Sequence, residues 1–166
     1  MIRAYPHAVS VAPDEAALIH VSCDAAHFRM RLYRFEQDFV PVWVSDALAG
    51  QTAPEGTPDS DWQWPTYSLP ADRGWPSGVY IAQICAEGIL APPIDFNQPT
   101  ALFIVRGKGQ SPLLYKIPSA TYHAYNCTGG GCLYDRPRRS AYPPGSKVSL
   151  RRPGGGIGGD TWGVAD

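Results

Sequence analysis

Apolar and polar residues alternate along two stretches in the first quarter of the chain. The alternation is clear in residues 19–23 (IHVSC) and again in residues 28–33 (FRMRLY). A period of two residues places successive side chains on opposite faces of a β-strand. Both stretches therefore predict half-buried antiparallel strands joined by a short connection.

Further apolar runs are short and lie between clusters of glycine and proline. They are residues 39–44 (FVPVWV), 78–85 (GVYIAQIC) and 101–105 (ALFIV), and residues 7–11 add a small opening strand. About seven short strands without helical periodicity are typical of a sandwich. We therefore predict a mainly β protein, an immunoglobulin-like antiparallel β-sandwich. Pro41 indicates an edge strand or a bulge, and Tyr80 is expected to turn inward and hydrogen-bond the neighbouring turn.

The character of the chain changes after residue 105. Glycine and proline, 17 of each in the whole chain, are dense in the last quarter. We place a boundary near residue 108, so that residues 1–107 form the sandwich and residues 108–166 form a Gly/Pro-rich C-terminal extension. In that extension, residues 113–117 (LLYKI) predict one more strand, and residues 147–151 are a candidate for another.

Charge and composition exclude several kinds of partner. The net charge is −1 and 44% of residues are hydrophobic, which indicates a globular chain. Residues 133–166 carry six basic residues against three aspartates, but no aromatic stacking platform lies among them, so we expect no nucleic-acid site. Neither a membrane-spanning run nor a secretory signal is recognisable. We expect a cytoplasmic protein that does not contact a membrane.

Four cysteines leave two interpretations open. In the absence of a secretory signal, reduced thiols are favoured for Cys23, Cys85, Cys127 and Cys132. The segment between Cys127 and Cys132 is Thr-Gly-Gly-Gly. These two residues could close a small loop, or Cys127 could act as a nucleophile with His123 as its base.

Aromatic residues occur in the long connection between the predicted strands at residues 39–44 and 78–85. Residues 47–75 are rich in proline, glycine, aspartate and threonine, and they include Trp62, Trp64 and Trp75. One hypothesis is a carbohydrate- or protein-binding module that uses these indoles on an exposed loop. The alternative is that the indoles pack and anchor the connection.

The densest group of chemically useful side chains follows the predicted strand at residues 113–117. Tyr122, His123, Tyr125 and Asn126 lie within five residues. Tyrosine and histidine can ligate iron, so Tyr122, His123 and Tyr125 are candidate metal ligands, and Tyr125, His123 and Asn126 are candidate catalytic residues. The alternative is an aromatic patch that packs the extension on the sandwich.

The same segment resembles a known family. Residues 120–126 (ATYHAYN), followed by Gly129-Gly130-Gly131 and Leu133-Tyr134, are similar to the ATxxWQAYNxWGGxSLY signature of the N,N-dimethylformamidase large subunit and its relatives. Upstream, residues 75–80 (WPSGVY) and 103–106 (FIVR) resemble the sandwich that precedes the catalytic domain of that family. Tyr122 stands where the family has tryptophan, and both Cys127 and Cys132 depart from the signature.

The resemblance implies an iron-dependent amidohydrolase in which tyrosine and glutamate oxygens hold the metal and water attacks an amide. Tyr125 is the first residue to carry over, with Asn126 as its orienting neighbour. The family's catalytic domain continues beyond this motif, and neither Asp135 nor Asp160 is a convincing replacement for its acidic ligand.

We therefore expect a non-catalytic or truncated sandwich module that serves interaction or assembly and holds no cofactor as an isolated chain. It would form a homo-oligomer, or bind a partner protein that covers the C-terminal extension. The alternative is a small iron-dependent amidohydrolase for formamide-like amides. Its site would be completed across subunits, with Tyr122, His123 and Tyr125 as ligands.

Overall fold

Alternating apolar residues build two β-sheets in the structure, a computed structural model that describes residues 1–70, 73–86, 93–95, 98–110, 112–133 and 147–154. No helix within those ranges has the length and apolar character needed to cross a membrane. The elements in these residues are β1 (Ile2–Pro6), β2 (Ser10–Val11), β3 (Leu18–Cys23), β4 (His27–Phe35), β5 (Phe39–Val44), β6 (Leu48–Ala49), β7 (Thr66–Ser68), β8 (Gly78–Ala86), β9 (Thr100–Val105) and α1 (Ser119–Tyr125).

The strands form one small and one larger sheet. The smaller has the order β1-β3-β7 and the larger has the order β2-β9-β8-β4-β5, with β6 also paired to β4. All pairs are antiparallel except β2 and β9, which run parallel. The prediction of a mainly β protein is confirmed.

One apolar core joins the two sheets. Ile19 and Val21 of β3 pack in the same cluster as Met30 and Leu32 of β4, and none of the four is more than 1% exposed. Burying a side chain of this size stabilises the fold by roughly 1.5–3 kcal/mol. Because the inward-facing residues come from both sheets, the arrangement is a β-sandwich.

Tyr80 fixes the turn before β8. Its side chain is fully buried and its hydroxyl donates a hydrogen bond of 2.6 Å to the carbonyl of Pro76. The ring stacks on Phe103 with centroids 5.6 Å apart. A buried tyrosine bonded to the chain a few residues upstream is a recurring corner in immunoglobulin-like sandwiches. The immunoglobulin-like assignment stays a prediction, which this corner and the strand order favour.

Two local strand predictions need adjustment near the start of the sandwich. The opening strand expected at residues 7–11 is shorter, since β2 contains only Ser10 and Val11, and the longer β1 precedes it. Pro41 lies where expected, on the outer strand β5 and opposite a register shift between Leu32 and Tyr33. A proline there removes no N–H from a central ladder.

Two strand predictions for the C-terminal extension were wrong. Residues 113–117 form no strand, and Leu113 and Leu114 are 85% and 97% exposed, so the segment has no buried face. A run of apolar letters therefore gave a false strand signal here. Residues 147–151 also form no strand. They belong to a segment of irregular backbone, residues 147–154, which we name the strap.

Candidate functional site

Helix α1 contains three of the candidate site residues, Tyr122, His123 and Tyr125, and Asn126 is its C-terminal cap. The sequence predicts this cluster after a strand, whereas the structure places it in a helix. Its seven residues include two alanines and neither glycine nor proline, a composition that permits a helical turn. The helix ends where Asn126 adopts an extended backbone conformation.

The three predicted metal ligands do not face one common position. Tyr122 and Tyr125 are three residues apart and share one side of the helix, while His123 is rotated from Tyr122 by about 100°. Tyr125 is 45% exposed and His123 is 3% exposed. The helix thus directs the tyrosines and the imidazole into different surroundings.

Arg152 of the strap lies completely buried beneath helix α1. Its guanidinium donates to four backbone carbonyls: Ser149 at 3.1 Å, Thr128 at 2.5 Å, His123 at 3.3 Å and Asn126 at 2.8 Å. Burial lowers the pKa of Arg152, while Coulombic attraction to Cys127 and Cys132 opposes that effect. A guanidinium offers five N–H donors in a plane, so one side chain can satisfy several otherwise unbonded carbonyls.

His123 is a neutral, enclosed imidazole at ordinary pH. Burial, and secondly the charge of Arg152, lower its pKa to about 4. Its Nδ1 atom is buried and has no hydrogen-bond partner among the residues that the structure describes. A general base for Cys127 would need a pKa nearer neutrality and contact with the thiol. The hypothesis of a Cys127–His123 pair gains no support from this environment.

Asn126 connects the helix with both neighbouring segments. Its Oδ1 atom accepts a hydrogen bond of 3.0 Å from the N–H of Thr128, and its Nδ2 atom donates one of 2.7 Å to the carbonyl of Pro153. The side chain is fully buried. Its hydrogen bonds thus hold the backbone together, whereas the resemblance implies a role in orienting Tyr125.

The strap is also hydrogen-bonded to the long connection, residues 47–75, that contains Trp62. The N–H of Trp62 donates to the carbonyl of Arg151 at 3.1 Å, and the N–H of Ser149 donates to the carbonyl of Pro58 at 2.8 Å. The hydroxyl of Ser149 donates to Asp61 as well. The predicted extension is therefore attached to the sandwich through its loops.

The three candidate binding tryptophans are packed inside the protein. Trp62, Trp64 and Trp75 are 7%, 3% and 6% exposed. Each indole N–H donates to a backbone carbonyl, those of Thr57, Pro54 and Pro70 respectively. Little indole surface remains for a ligand, so the structure favours the anchoring interpretation over a carbohydrate site.

The described residues do not fit the iron that the resemblance implies. A cation bound at His123 would lie beside the buried positive charge of Arg152, which opposes it electrostatically. Tyr125 lies on another side of the helix and is 45% exposed. Within the described ranges, no group of three or more histidine, cysteine, aspartate or glutamate side chains is arranged to hold a metal.

Arg152 makes the hydrogen bonds that connect the strap with helix α1, and the sequence analysis does not single it out. It is one of the six basic residues in residues 133–166, where the sequence predicts no nucleic-acid site. Nothing in the letters separates it from Arg151, whose side chain is 46% exposed. The two acidic residues considered above, Asp135 and Asp160, lie outside the described residues.

Comparisons with known proteins agree with the resemblance carried by residues 120–134. Searches among curated proteins and among solved structures found no match. A family model described as N,N-dimethylformamidase beta subunit-like, C-terminal, matches residues 27–165. The match covers most of the chain and runs across residue 108, where our domain boundary stays a prediction. The chain therefore belongs to the N,N-dimethylformamidase beta subunit-like family.

Proposed function

We propose that this chain is a non-catalytic β-sandwich module of a dimethylformamidase-like protein and that it serves assembly. The observation that carries the proposal is the position of Arg152. Its guanidinium occupies the space under helix α1 and bonds to the carbonyls of His123 and Asn126. Two of the three candidate catalytic residues are thereby built into the packing of the helix, whereas Tyr125 is 45% exposed.

A second feature supports a role in assembly. Leu113, Leu114 and Tyr115 are 85%, 97% and 81% exposed and follow one another in the chain. Consecutive exposed apolar side chains are unusual unless another surface covers them. The occupant we propose is a second copy of this chain, because a net charge of only −1 produces little repulsion between copies.

Sedimentation velocity over a range of concentrations tests the proposed assembly. We expect the unmodified chain to sediment as an oligomer and Leu114→Glu to shift it to a monomer. Val44→Glu is the matched control, since Val44 is 49% exposed but lies on β5 of the sandwich. An unmodified chain that remains monomeric throughout would contradict self-assembly, and an equal effect of both substitutions would contradict the site.

One alternative function has an observation of its own. Tyr125 is the residue that the family resemblance brings forward first, and it is 45% exposed on the same side of α1 as Tyr122. An iron-dependent amidohydrolase whose site is completed by another subunit would use this phenol. Formate release from N,N-dimethylformamide, measured with and without added iron, decides between the two. Iron-dependent turnover that disappears in Tyr125→Phe would establish the alternative and overturn the non-catalytic module.

A further inference from the structure

Two cysteine thiols face each other across the segment from Cys127 to Cys132, which we name the glycine loop. Their Sγ atoms are 2.9 Å apart. A disulfide bond is about 2.05 Å long, so a movement of less than about 1 Å brings the sulfurs to bonding distance. Cys23 and Cys85 instead lie on different sheets, in β3 and β8, and form no disulfide.

The backbone of the glycine loop holds the two thiols in this position. Gly129 and Gly130 have φ angles of +85° and +93°, values that few residues other than glycine adopt, and they reverse the chain. The N–H of Gly130 donates to the carbonyl of Cys127 at 3.1 Å, and the N–H of Leu133 donates to the carbonyl of Ala124 at 3.0 Å. The approach of the sulfurs is thus a property of an anchored loop.

The two thiols differ in their access to solvent. Cys127 is half-buried, whereas Cys132 is 1% exposed. Access is one of the factors that decide which thiol meets an external disulfide first. From the short separation, the anchored loop and this difference in exposure, we propose that Cys127 and Cys132 are a reversible dithiol–disulfide pair that exchanges with low-molecular-weight disulfides of the glutathione class. The proposal does not depend on the function proposed above.

The exchange proceeds in two balanced steps. The thiolate of Cys127 attacks one sulfur of glutathione disulfide, the S–S bond of that molecule breaks, and one glutathione thiolate leaves. The thiolate of Cys132 then attacks the Cys127 sulfur in the mixed disulfide and displaces the second glutathione. Two protein thiols are oxidised by two electrons, one glutathione disulfide is reduced to two glutathione molecules, and the protons of the cysteines pass to the departing thiolates.

A disulfide between Cys127 and Cys132 would stabilise hydrogen bonds that Thr128 makes with distant parts of the chain. Thr128 lies inside the glycine loop, where its carbonyl accepts from Arg152 and its hydroxyl accepts from Arg3 at 3.4 Å. Closing the loop covalently restricts the unfolded chain and keeps Thr128 near these partners. The oxidised protein is therefore expected to have a higher urea midpoint than the reduced protein.

Equilibration of the full chain with defined ratios of glutathione to glutathione disulfide tests the pair. After acid quenching, N-ethylmaleimide in denaturant marks the remaining thiols and peptide mapping locates them. We expect oxidising buffers to protect two of the four cysteines through a Cys127–Cys132 bond, with Cys23 and Cys85 still alkylated. Alkylation of all four at every ratio would overturn the proposal, as would a bond between any other pair.

Two variants test the assigned order of attack. In Cys132→Ser, glutathione added to Cys127 should persist at least tenfold longer than in the unmodified chain. In Cys127→Ser, the buried Cys132 should react with glutathione disulfide at least tenfold more slowly than Cys127 does in the first variant. Equal rates for the two thiols, or a stable glutathione adduct on the unmodified chain, would count against the mechanism. If either variant misfolds, the peptide map of the unmodified chain alone decides.

Discussion

At the scale of single residues, Arg151 and Arg152 are chain neighbours in opposite surroundings. The side chain of Arg151 is 46% exposed and pairs with Asp61 at 3.5 Å. Arg152 is fully buried among four carbonyls. Solvent screens the first interaction, while removal of the second side chain leaves buried carbonyls without a donor.

Substitution of each arginine by methionine separates these two situations. We expect Arg152→Met to lower the free energy of unfolding by about 3 kcal/mol, since a buried charged network is broken. Arg151→Met should cost about 0.5 kcal/mol or less. Urea unfolding of both variants measures the difference. Equal losses would mean that the strap does not hold helix α1 as described.

Two buried tyrosines provide a second matched pair. The hydroxyl of Tyr80 donates to the carbonyl of Pro76 at 2.6 Å, whereas the hydroxyl of Tyr33 is buried and has no hydrogen-bond partner among the described residues. Tyr80→Phe should therefore cost about 1 kcal/mol, and Tyr33→Phe should be neutral or stabilising. Urea midpoints of the two variants test this, and a larger loss for Tyr33→Phe would contradict it.

At the scale of elements, the glycine loop packs against the connection that carries Trp62. A Cβ atom added at Gly129 would lie 2.9 Å from Cζ2 of Trp62 and 3.0 Å from the carbonyl oxygen of Gly56, whereas one added at Gly130 would meet nothing within 4 Å. Both glycines have positive φ angles. The two positions share a backbone requirement but differ in packing.

Alanine substitutions at both glycines isolate the packing contribution as the difference between the two losses of stability. Gly130→Ala should cost about 1 kcal/mol through backbone strain. Gly129→Ala should cost about 1–3 kcal/mol more, because it also forces the Trp62 contact apart, and it should change the indole fluorescence. Chemical unfolding with fluorescence detection reports both effects. Similar values for the two variants would show that the loop does not rest on Trp62.

The elements also show how far the sequence predicts structure. In residues 28–32 the apolar side chains are buried and the intervening arginines are half-buried, as the alternation predicts. Residues 19–23 also pair in a sheet, but all five of their side chains are buried, so the strand prediction holds there and the half-buried face does not. Residues 113–117 are also largely apolar, yet the side chains of Leu113, Leu114 and Tyr115 are exposed. Whether such side chains become buried depends on whether another part of the chain, or another molecule, covers them. The local sequence pattern contains no information on this.

At the scale of the whole molecule, burial of histidine makes stability depend on pH. The pKa of His123 falls from an ordinary 6.5 to about 4, and burial also lowers the pKa of His20. The folded protein therefore binds fewer protons than the unfolded chain as the pH falls below about 6.5. The free energy of unfolding therefore has its full value, as far as His123 is concerned, above that pH. It decreases as the pH falls towards 4, because the unfolded chain then binds a proton that the folded protein does not.

Unfolding measured between pH 7.5 and pH 4.5 tests this linkage. One unit of pKa corresponds to about 1.4 kcal/mol, so His123 accounts for a loss of up to about 3 kcal/mol by pH 4. His123→Gln should make the pH profile less steep, because the buried imidazole that resists protonation is removed. A profile that keeps its slope in His123→Gln would contradict the assignment.

The sequence identifies the segment that contains the candidate site residues but not how that segment is organised. Residues 120–126 drew attention through a motif, and the family match agrees with it. The roles of His123 and Asn126 depend on Arg152, which lies 29 and 26 residues further along the chain. A contact of that range follows from folding of the whole chain and leaves no local periodicity.

The distance in sequence between Arg152 and its acceptors also sets an order of events during synthesis. The carbonyls of His123, Asn126 and Thr128 emerge from the ribosome 24 to 29 residues before the side chain that binds them. Until then, water must satisfy these groups, and closing so long a loop carries an entropic cost. Strands β1 to β9 can already pair at that stage, so the nascent sandwich would precede the ordered helix, with the strap arriving last.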